Sequence, residues 1–304
     1  MIVTVIHNPR AGDGEPTREA LLDALRAAGH EPRYQSTRAD DFPSALQEPG
    51  DVVLVAGGDG TVQTAALELA TRGVPMAVVP MGTANNIATS LGLQRELDAI
   101  VKAVRAGREQ QVDLGSSAGP WGERRFIEGA GFGVVPELIR VIDRYAAAQA
   151  PDAMSELRYA RRVLDRVAAL LPPFECRVHA DGETHVLRPI LLEVMNVQRI
   201  GPGLPIAPTA DPTDGLLEVV WVEEPDREAL RGAIRAWAAA DEAIADPQHA
   251  TSFGCRNLRA AEVRIECNAP LAHIDDDLWK AKKKHRPGYE AVFTCERGAV
   301  RLLR

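Results

Sequence analysis

The stretch DVVLVAGGDGTVQTAALEL (Asp51–Leu69) decides the fold. Its apolar run VVLVA (52–56) reads as a buried strand, and the pattern over 61–73 reads as a helix. Gly57, Gly58 and Gly60 fill the turn between them. A strand that turns directly into a helix aims backbone N–H groups, and the positive end of the helix dipole, at whatever lies above the turn. Glycines let an anion approach that backbone closely, and Thr61 can cap the helix or donate to a phosphate. Asp59 sits in the middle of the loop. A carboxylate and a phosphate repel each other unless a cation lies between them, and magnesium with its waters is the usual one. The loop therefore points to a magnesium–nucleotide complex, the plain alternative being a strand–helix turn with Asp59 as a cap.

The same plan extends outward. IVTVI (2–6), PRYQST (32–37) and VPMAVVP (74–80) read as strands. Helices are expected over 16–30, 85–93 and 96–107, with a short helix or turn over 40–47. Strands alternating with helices imply a parallel sheet with right-handed crossovers, so residues 1–112 are expected to form one α/β domain. Two further loops follow strands of that sheet: HNPRAGDG (7–14), in which Arg10 can grip a phosphate bidentately, and VVPMGTANNIA (78–88), which carries Gly82 and Thr83 before a helix. Ligands of open parallel sheets bind at the carboxyl ends of the strands. Three such loops are harder to explain as plain turns than one.

Beyond Gly107 the texture changes. Strand-like runs dominate: RRFIEGAGFGVV, FECRVHA, HVLRPILLEVMNV, LLEVVWVEE, AEVRIEC, AVFTC and AVRLL. Residues 113–304 are therefore expected to form a mainly antiparallel β domain, with helical insertions at 154–171 and 226–245, a tight hairpin at ADGE (180–183), and a last strand able to pack back on the first domain.

Composition narrows the function. The chain has 304 residues, 45% of them hydrophobic, and 35 Lys+Arg against 43 Asp+Glu give a net charge of −8. That balance argues against nucleic-acid binding, which needs a basic surface. The four cysteines, Cys176, Cys255, Cys267 and Cys295, form no CxxC pair, and the histidines show no metal-site spacing. A reduced, cytoplasmic setting is expected. No apolar run approaches the roughly 18 residues that span a bilayer, and MIVTVIHNPR has no basic leader of the secretory kind. A lipid substrate would have to be met from the water side.

NPRAG, Thr37, GGDGT and GTANN, taken in order, resemble the catalytic domain of the diacylglycerol kinase family, which bacterial soluble lipid kinases and sphingosine kinases share. EGAGFG (128–133), MNVQRIGPGLPIAP (195–208), DPTDGLLEV (211–219) and GAVRLL (298–303) agree with it, so the resemblance covers nearly the whole chain. It implies an α/β fold with a phosphofructokinase/NAD-kinase-like parallel-sheet domain, followed by the mainly antiparallel β domain.

The resemblance also implies a site. ATP would be lined by Asn8, Pro9, Arg10, Gly12, Thr37, Gly57, Gly58, Asp59, Gly60, Thr61, Gln63, Gly82 and Thr83. Asp211, Asp214 and the carbonyl of Leu216 resemble a magnesium site, and two carboxylates three residues apart in a Gly/Pro turn suit a hard cation. The family's general base is the Glu of an Asp-Gly-Glu segment; here HIDDDLWK (273–280) stands in that place, so Asp277 becomes the expected base, with Asp59 as the second catalytic residue acting through magnesium. Asp276 replaces the Gly of that segment, Asn86 stands where an Asp is common, and Gly133 stands near another. The implied activity is ATP- and Mg2+-dependent phosphorylation of a lipid alcohol, a diacylglycerol or long-chain base. The alternatives are a non-lipid kinase of the NAD kinase type and a nucleotide-binding protein without catalysis. The expected partners are the lipid substrate, a transient peripheral membrane contact and a second copy of the chain in a homodimer.

Two basic segments complete the picture. MSELRYARRVLDRVAALL (154–171) can lie on an anionic membrane, though a core-packing helix with a solvated face explains it better. KAKKKHR (280–286) is a basic loop directly after Asp277, suited to an anionic head group or membrane or simply to solvent.

Overall fold

A computed structural model describes residues 1–39, 42–146, 153–239, 254–285 and 287–304. They form two compact units, Met1–Leu114 with Arg297–Arg304, and Gly115–Glu296. No helix among the described residues is long and apolar enough to cross a membrane.

In the first unit, β1 (Ile2–His7), β2 (Glu31–Ser36), β3 (Val52–Gly57) and β4 (Met76–Pro80) run parallel in the order β2-β1-β3-β4. β3 is buried along its whole length, as expected of a parallel strand with both faces covered. The helices are α1 (Arg18–Ala27), α2 (Phe42–Ala45), α3 (Asp59–Ala70), α4 (Asn86–Ser90) and α5 (Leu97–Ala106). The Thr17 hydroxyl starts α1 by accepting from the Ala20 amide at 3.3 Å, and Gly107 ends α5 at φ 64°. Leu21 and Leu25 of α1 and Val101 and Val104 of α5 pack with Val3, Val5, Leu54 and Val79 of the sheet. The chain's last residues return to this unit, where Leu302 pairs in parallel with Met76. The strand order reverses between β1 and β3, so the loops after β1, β3 and β4 are neighbours at the carboxyl edge.

The second unit is antiparallel. β5 (Glu109–Gly119) runs into it and turns back as β6 (Gly122–Phe126). One layer contains β8 (Cys176–Ala180), β9 (Glu183–Leu187), β13 (Glu262–Cys267) and the first part of β16 (Tyr289–Leu303). The other has the order β12-β11-β10-β7-β14-β15: Arg256–Ala260, Leu217–Glu223, Pro189–Met195, Gly129–Gly133, Leu271–Ile274 and Asp277–Lys280. An aromatic core with Phe126, Phe132, Phe174 and Phe293 lies between the layers. On the other face of the second layer pack α6 (Val134–Ala146), α7 (Ala153–Leu170) and α8 (Arg227–Ala239), through Leu138, Leu164, Ile234 and the strand residues Leu191, Met195 and Val220.

The β8–β9 hairpin turns at Asp181 and Gly182, with φ 50° and 81°, as ADGE predicts. Elsewhere the structure refines the reading. RRFIEGAGFGVV is not one strand: it breaks between β6 and β7, and Val134 already opens α6. AVFTC and AVRLL are two halves of the single strand β16. β5, β12, β14 and β15 carried no signal strong enough to be read. Of the expected 226–245 helix, residues beyond 239 lie outside the described ones, as do Asp40, Asp41 and Arg286. The arginine-rich α7 is a packing helix. Leu164 and Ala168 are buried, Asp165 pairs with Arg231 of α8 at 3.0 Å, and Arg161 lies over the Trp237 ring.

Candidate functional site

The first unit brings its three glycine-rich loops together. Asn8 follows β1, its amide donating to the Ala56 carbonyl at 2.8 Å, and its side-chain oxygen accepts from the Arg10 amide at 3.1 Å. Pro9 and Arg10 are exposed, and among the described residues Arg10 has no carboxylate partner. At Gly12 a Cβ would lie 2.2 Å from the Met81 carbonyl oxygen, so the first loop rests on the third. The loops after β3 and β4 meet backbone to backbone: a Cβ on Gly82 would come within 2.7 Å of the Gly58 Cα. Thr37 ends β2, its amide donating to the His7 carbonyl at 2.9 Å.

Gly58 is the N-cap of α3 and supplies no side-chain cap. The first amides of this helix are therefore available to an anion. Gly60 is exposed there, and Thr61 and Gln63 are half-buried on the first turns. Asp59 is the first residue of α3. Its Oδ1 accepts from the Ile87 amide at 3.1 Å, tying the start of α3 to the start of α4. Asn85, at φ 48°, closes the third loop by accepting from the Gly82 amide at 2.9 Å and donating to the Gly82 carbonyl at 2.5 Å, with Thr83 half-buried between them. Asn86 is buried, so the Asp common at this position would place a carboxylate in the interior. These loop residues share one edge of one sheet.

Asp277 lies in the second unit, as the first residue of β15. It is exposed, and among the described residues its side chain has no hydrogen bond or ion pair. The turn before it is heavily bonded. Asp275, at φ 48° and buried, accepts from the amides of Ile127, Glu128 and Gly129 at 2.9, 2.9 and 3.1 Å, and its own amide donates to the Gly129 carbonyl at 2.8 Å. Burial pushes its carboxyl up to about 7 against the pull of the three amides, with Asp276 adding to the rise. Asp276 is itself raised, by its crowded surroundings and then by Asp277 and Asp143, while His273 opposes the shift. Asp275 was not singled out from the sequence, although it occupies the Asp of the Asp-Gly-Glu pattern. Gly133 also has a structural cause: at φ 90°, with a Cβ 2.1 Å from the Ile190 carbonyl oxygen, its position accepts no Asp.

The two aspartates expected to hold magnesium on the acceptor side have protein partners. Asp211 Oδ1 accepts from both the Thr213 amide, at 3.0 Å, and the Thr213 hydroxyl, at 2.7 Å. Asp214 accepts from the Leu216 amide at 2.9 Å through Oδ1 and forms an ion pair with Arg259 through Oδ2. A guanidinium thus occupies the side of Asp214 that a cation would need. Among the described residues no group of three or more His, Cys, Asp or Glu side chains could hold a metal. The sequence shows the two aspartates but not Arg259, which arrives from β12, opposite Glu218 of β11.

Two other features of the second unit have chemical character. Between α6 and α7 lies an open groove of about 860 Å3, lined by Val141, Tyr159, Val163 and Leu170 with Arg162 and Arg166. After β15, Lys282, Lys283 and Lys284 form an exposed turn backed by rings: His285 lies 5.3 Å from Trp279, which lies 5.1 Å from Tyr289.

A parallel sheet with three adjoining strand-end loops for an anion, joined to an antiparallel β unit, defines a class of two-unit α/β proteins built to hold a phosphorylated ligand. Sequence profiles narrow the class. Residues 2–117 match the diacylglycerol kinase catalytic domain, and residues 133–283 match the YegS C-terminal NAD kinase beta sandwich-like domain. The chain thus carries a diacylglycerol kinase catalytic domain followed by a YegS-type C-terminal domain. It is 26% identical over 295 residues to a diacylglycerol kinase of Mycobacterium tuberculosis, across 91% of this chain and 88% of that one. It is 28% identical over 231 residues to the "Probable lipid kinase YegS" of Salmonella arizonae, across 71% of this chain and 72% of that one. A crystal structure of a diacylglycerol kinase from Bacillus anthracis str. Sterne shares the fold at a TM-score of 0.65 and 17% identity, covering 99% of this chain and 96% of that one.

Proposed function

We propose that the chain is a lipid kinase that transfers the γ-phosphoryl group of ATP to the hydroxyl of a lipid alcohol, of the diacylglycerol or long-chain-base type. The observation that carries the nucleotide half is the uncapped start of α3 beside two further glycine-rich loops and the unpaired Arg10. Amides and one guanidinium can share the charge of a triphosphate there. ATP would arrive as its magnesium complex, the ion screening Asp59 from the phosphates.

Asp277 is the proposed general base. It takes the proton of the acceptor hydroxyl; the oxygen attacks the γ-phosphorus in line, the bond to the β–γ bridging oxygen breaks, and ADP leaves. An aspartate is one methylene shorter than the family's glutamate, so the acceptor must come correspondingly closer. The apolar α6–α7 groove, with Arg162 and Arg166 at its side, suits an acyl chain with a polar end. The exposed lysine turn after β15 suits a transient contact with an anionic bilayer.

The test is transfer of γ-labelled phosphate by the purified chain, with Mg2+, to mixed micelles of candidate lipids. Lipid-linked label is expected. Asp277→Asn should lower kcat by about 10²- to 10⁴-fold, and Asp277→Glu should retain activity. Nucleotide binding without transfer to any acceptor overturns the proposal. Label in NAD instead of lipid favours the NAD kinase reading, which the name of the matched C-terminal domain makes the natural control.

A further inference from the structure

Glu193 and His273 have no exposed side-chain surface, and His273 Nε2 lies 2.7 Å from Glu193 Oε2. They come from different strands, β10 and β14, which flank β7. Gly131 of β7 is the register partner of both. A Cβ on Gly131 would fall 2.1 Å from Glu193 Oε2, so the pair closes across the strand only because glycine occupies the middle. Leu192 and Val194 point into the aromatic core, whereas Leu191 and Met195 belong to the helix-covered face. Alternation puts Glu193 on that helix-covered face.

This pair is a poor way to stabilise a sheet. Glu193 Oε1 is buried without a hydrogen-bond partner. Desolvating an acid and an imidazole costs more than burying apolar side chains of similar size. Burial pushes the Glu193 carboxyl up; burial works to lower His273, but Glu193 beside it and then Asp275 together raise it. The 2.7 Å contact between them requires a hydrogen on one of the two atoms. Outside itself it reaches the Asp275 carbonyl, 2.8 Å from His273 Nδ1. A carbonyl only accepts, so Nδ1 carries a hydrogen in either proton arrangement of the pair. Asp275 is then held through its carbonyl, its amide and its carboxylate, and Asp277 pairs with Ile274 directly across this turn.

We infer that Glu193 and His273 are positioning residues, which lock the turn at Asp275 from the interior of the sheet and so orient Asp277. This inference rests on the assignment of Asp277 as base. Positioning matters greatly in phosphoryl transfer, where misplacement by about 1 Å can cost ~100-fold.

The pair Glu193→Met with His273→Leu removes the buried acid and imidazole together and leaves the Asp275 carbonyl without its donor. It should fold with a Tm close to the parent's, keep its KM for ATP, and lose kcat by about 10- to 100-fold. His273→Asn keeps a donor near the Nδ1 position and should restore most of kcat. His273→Gln can still bond Glu193 but offers nothing to the Asp275 carbonyl. It should lose kcat, and it serves if the double variant does not fold. Amide exchange at Ile127, Glu128 and Gly129 should quicken about tenfold where the bond to Asp275 is lost. A folded double variant or a His273→Gln variant with kcat within about twofold of the parent overturns the inference, as does His273→Asn as impaired as His273→Gln. A parent chain that phosphorylates nothing defeats the kinase reading alone. The exchange rates then decide, and unchanged protection at the three amides overturns the positioning role.

Discussion

Asp275 shows how one residue acquires a property from its surroundings. In an unfolded chain its carboxyl titrates near 3.8; in the fold, burial carries it to about 7. Between those values the folded state holds a proton that the unfolded state has released. Stability from this group is therefore complete below about pH 4 and is lost as pH rises toward 7, by a few kcal/mol at most at ~1.4 kcal/mol per pKa unit. Chemical denaturation between pH 5 and 8 should show the parent losing stability with rising pH and Asp275→Asn losing much less; equal slopes would show that the carboxyl is charged throughout. Glycines at this scale were only half legible. The run EGAGFG was recognisable, but the reason for Gly131 and Gly133 was not. It lies in Glu193 and Ile190 on the neighbouring strand, some 60 residues away in the chain.

At the scale of elements, the turn before β11 combines a local signal with a distant partner. Asp211 and Asp214 in a Gly/Pro turn suggest a cation, and the Arg259 guanidinium of β12 pairs with Asp214 there. Neither EDTA nor millimolar Mg2+ should move the Tm of the protein without nucleotide. Arg259→Gln should lower stability by about 1–3 kcal/mol, because Asp214 loses its ion pair and Glu218 lies buried on the strand beside it. In that variant Mg2+ should raise the Tm again by linkage. A metal-dependent Tm in the parent would return the site to magnesium. The elements that escaped notice, β12, β14 and β15, are four or five residues long, and β12 and β15 carry charged residues. Their strand character comes from ladder partners rather than from intrinsic preference. The strands of the first unit are long apolar runs that need no such help.

At the scale of the whole molecule, charge is unevenly spread. A chain of net charge −8 gathers Lys280, Lys282, Lys283 and Lys284 on one segment, without a carboxylate partner for them among the described residues. The rings of Trp279, His285 and Tyr289, which meet tilted or edge-on, brace that segment. Vesicles rich in phosphatidylserine should bind the protein more tightly than neutral ones, and the difference should shrink as salt rises from 0.05 to about 0.5 M. Replacing Lys282, Lys283 and Lys284 with Gln should weaken binding about 100-fold, at ~1 kcal/mol for each lysine. Binding that ignores lipid charge would remove the lysine turn from any membrane role.

The parallel-sheet unit and its glycine-rich loops could be read directly from the sequence, because a buried parallel strand, a glycine turn and an amphipathic helix are each written in consecutive residues. Asp277 was legible as a candidate through the family resemblance of the segment HIDDDLWK. What surrounds it was not. The Glu193–His273 pair, the three amides that hold Asp275, and Arg259 at Asp214 all join residues far apart in the chain. Only the register of antiparallel strands brings such groups within hydrogen-bond reach, and only burial decides which of them hold a proton. One signal of this was present in advance: Glu193 is a lone acid in the apolar run PILLEVM. An acid in such a run must find a partner, but the sequence does not say that the partner is a histidine 80 residues later.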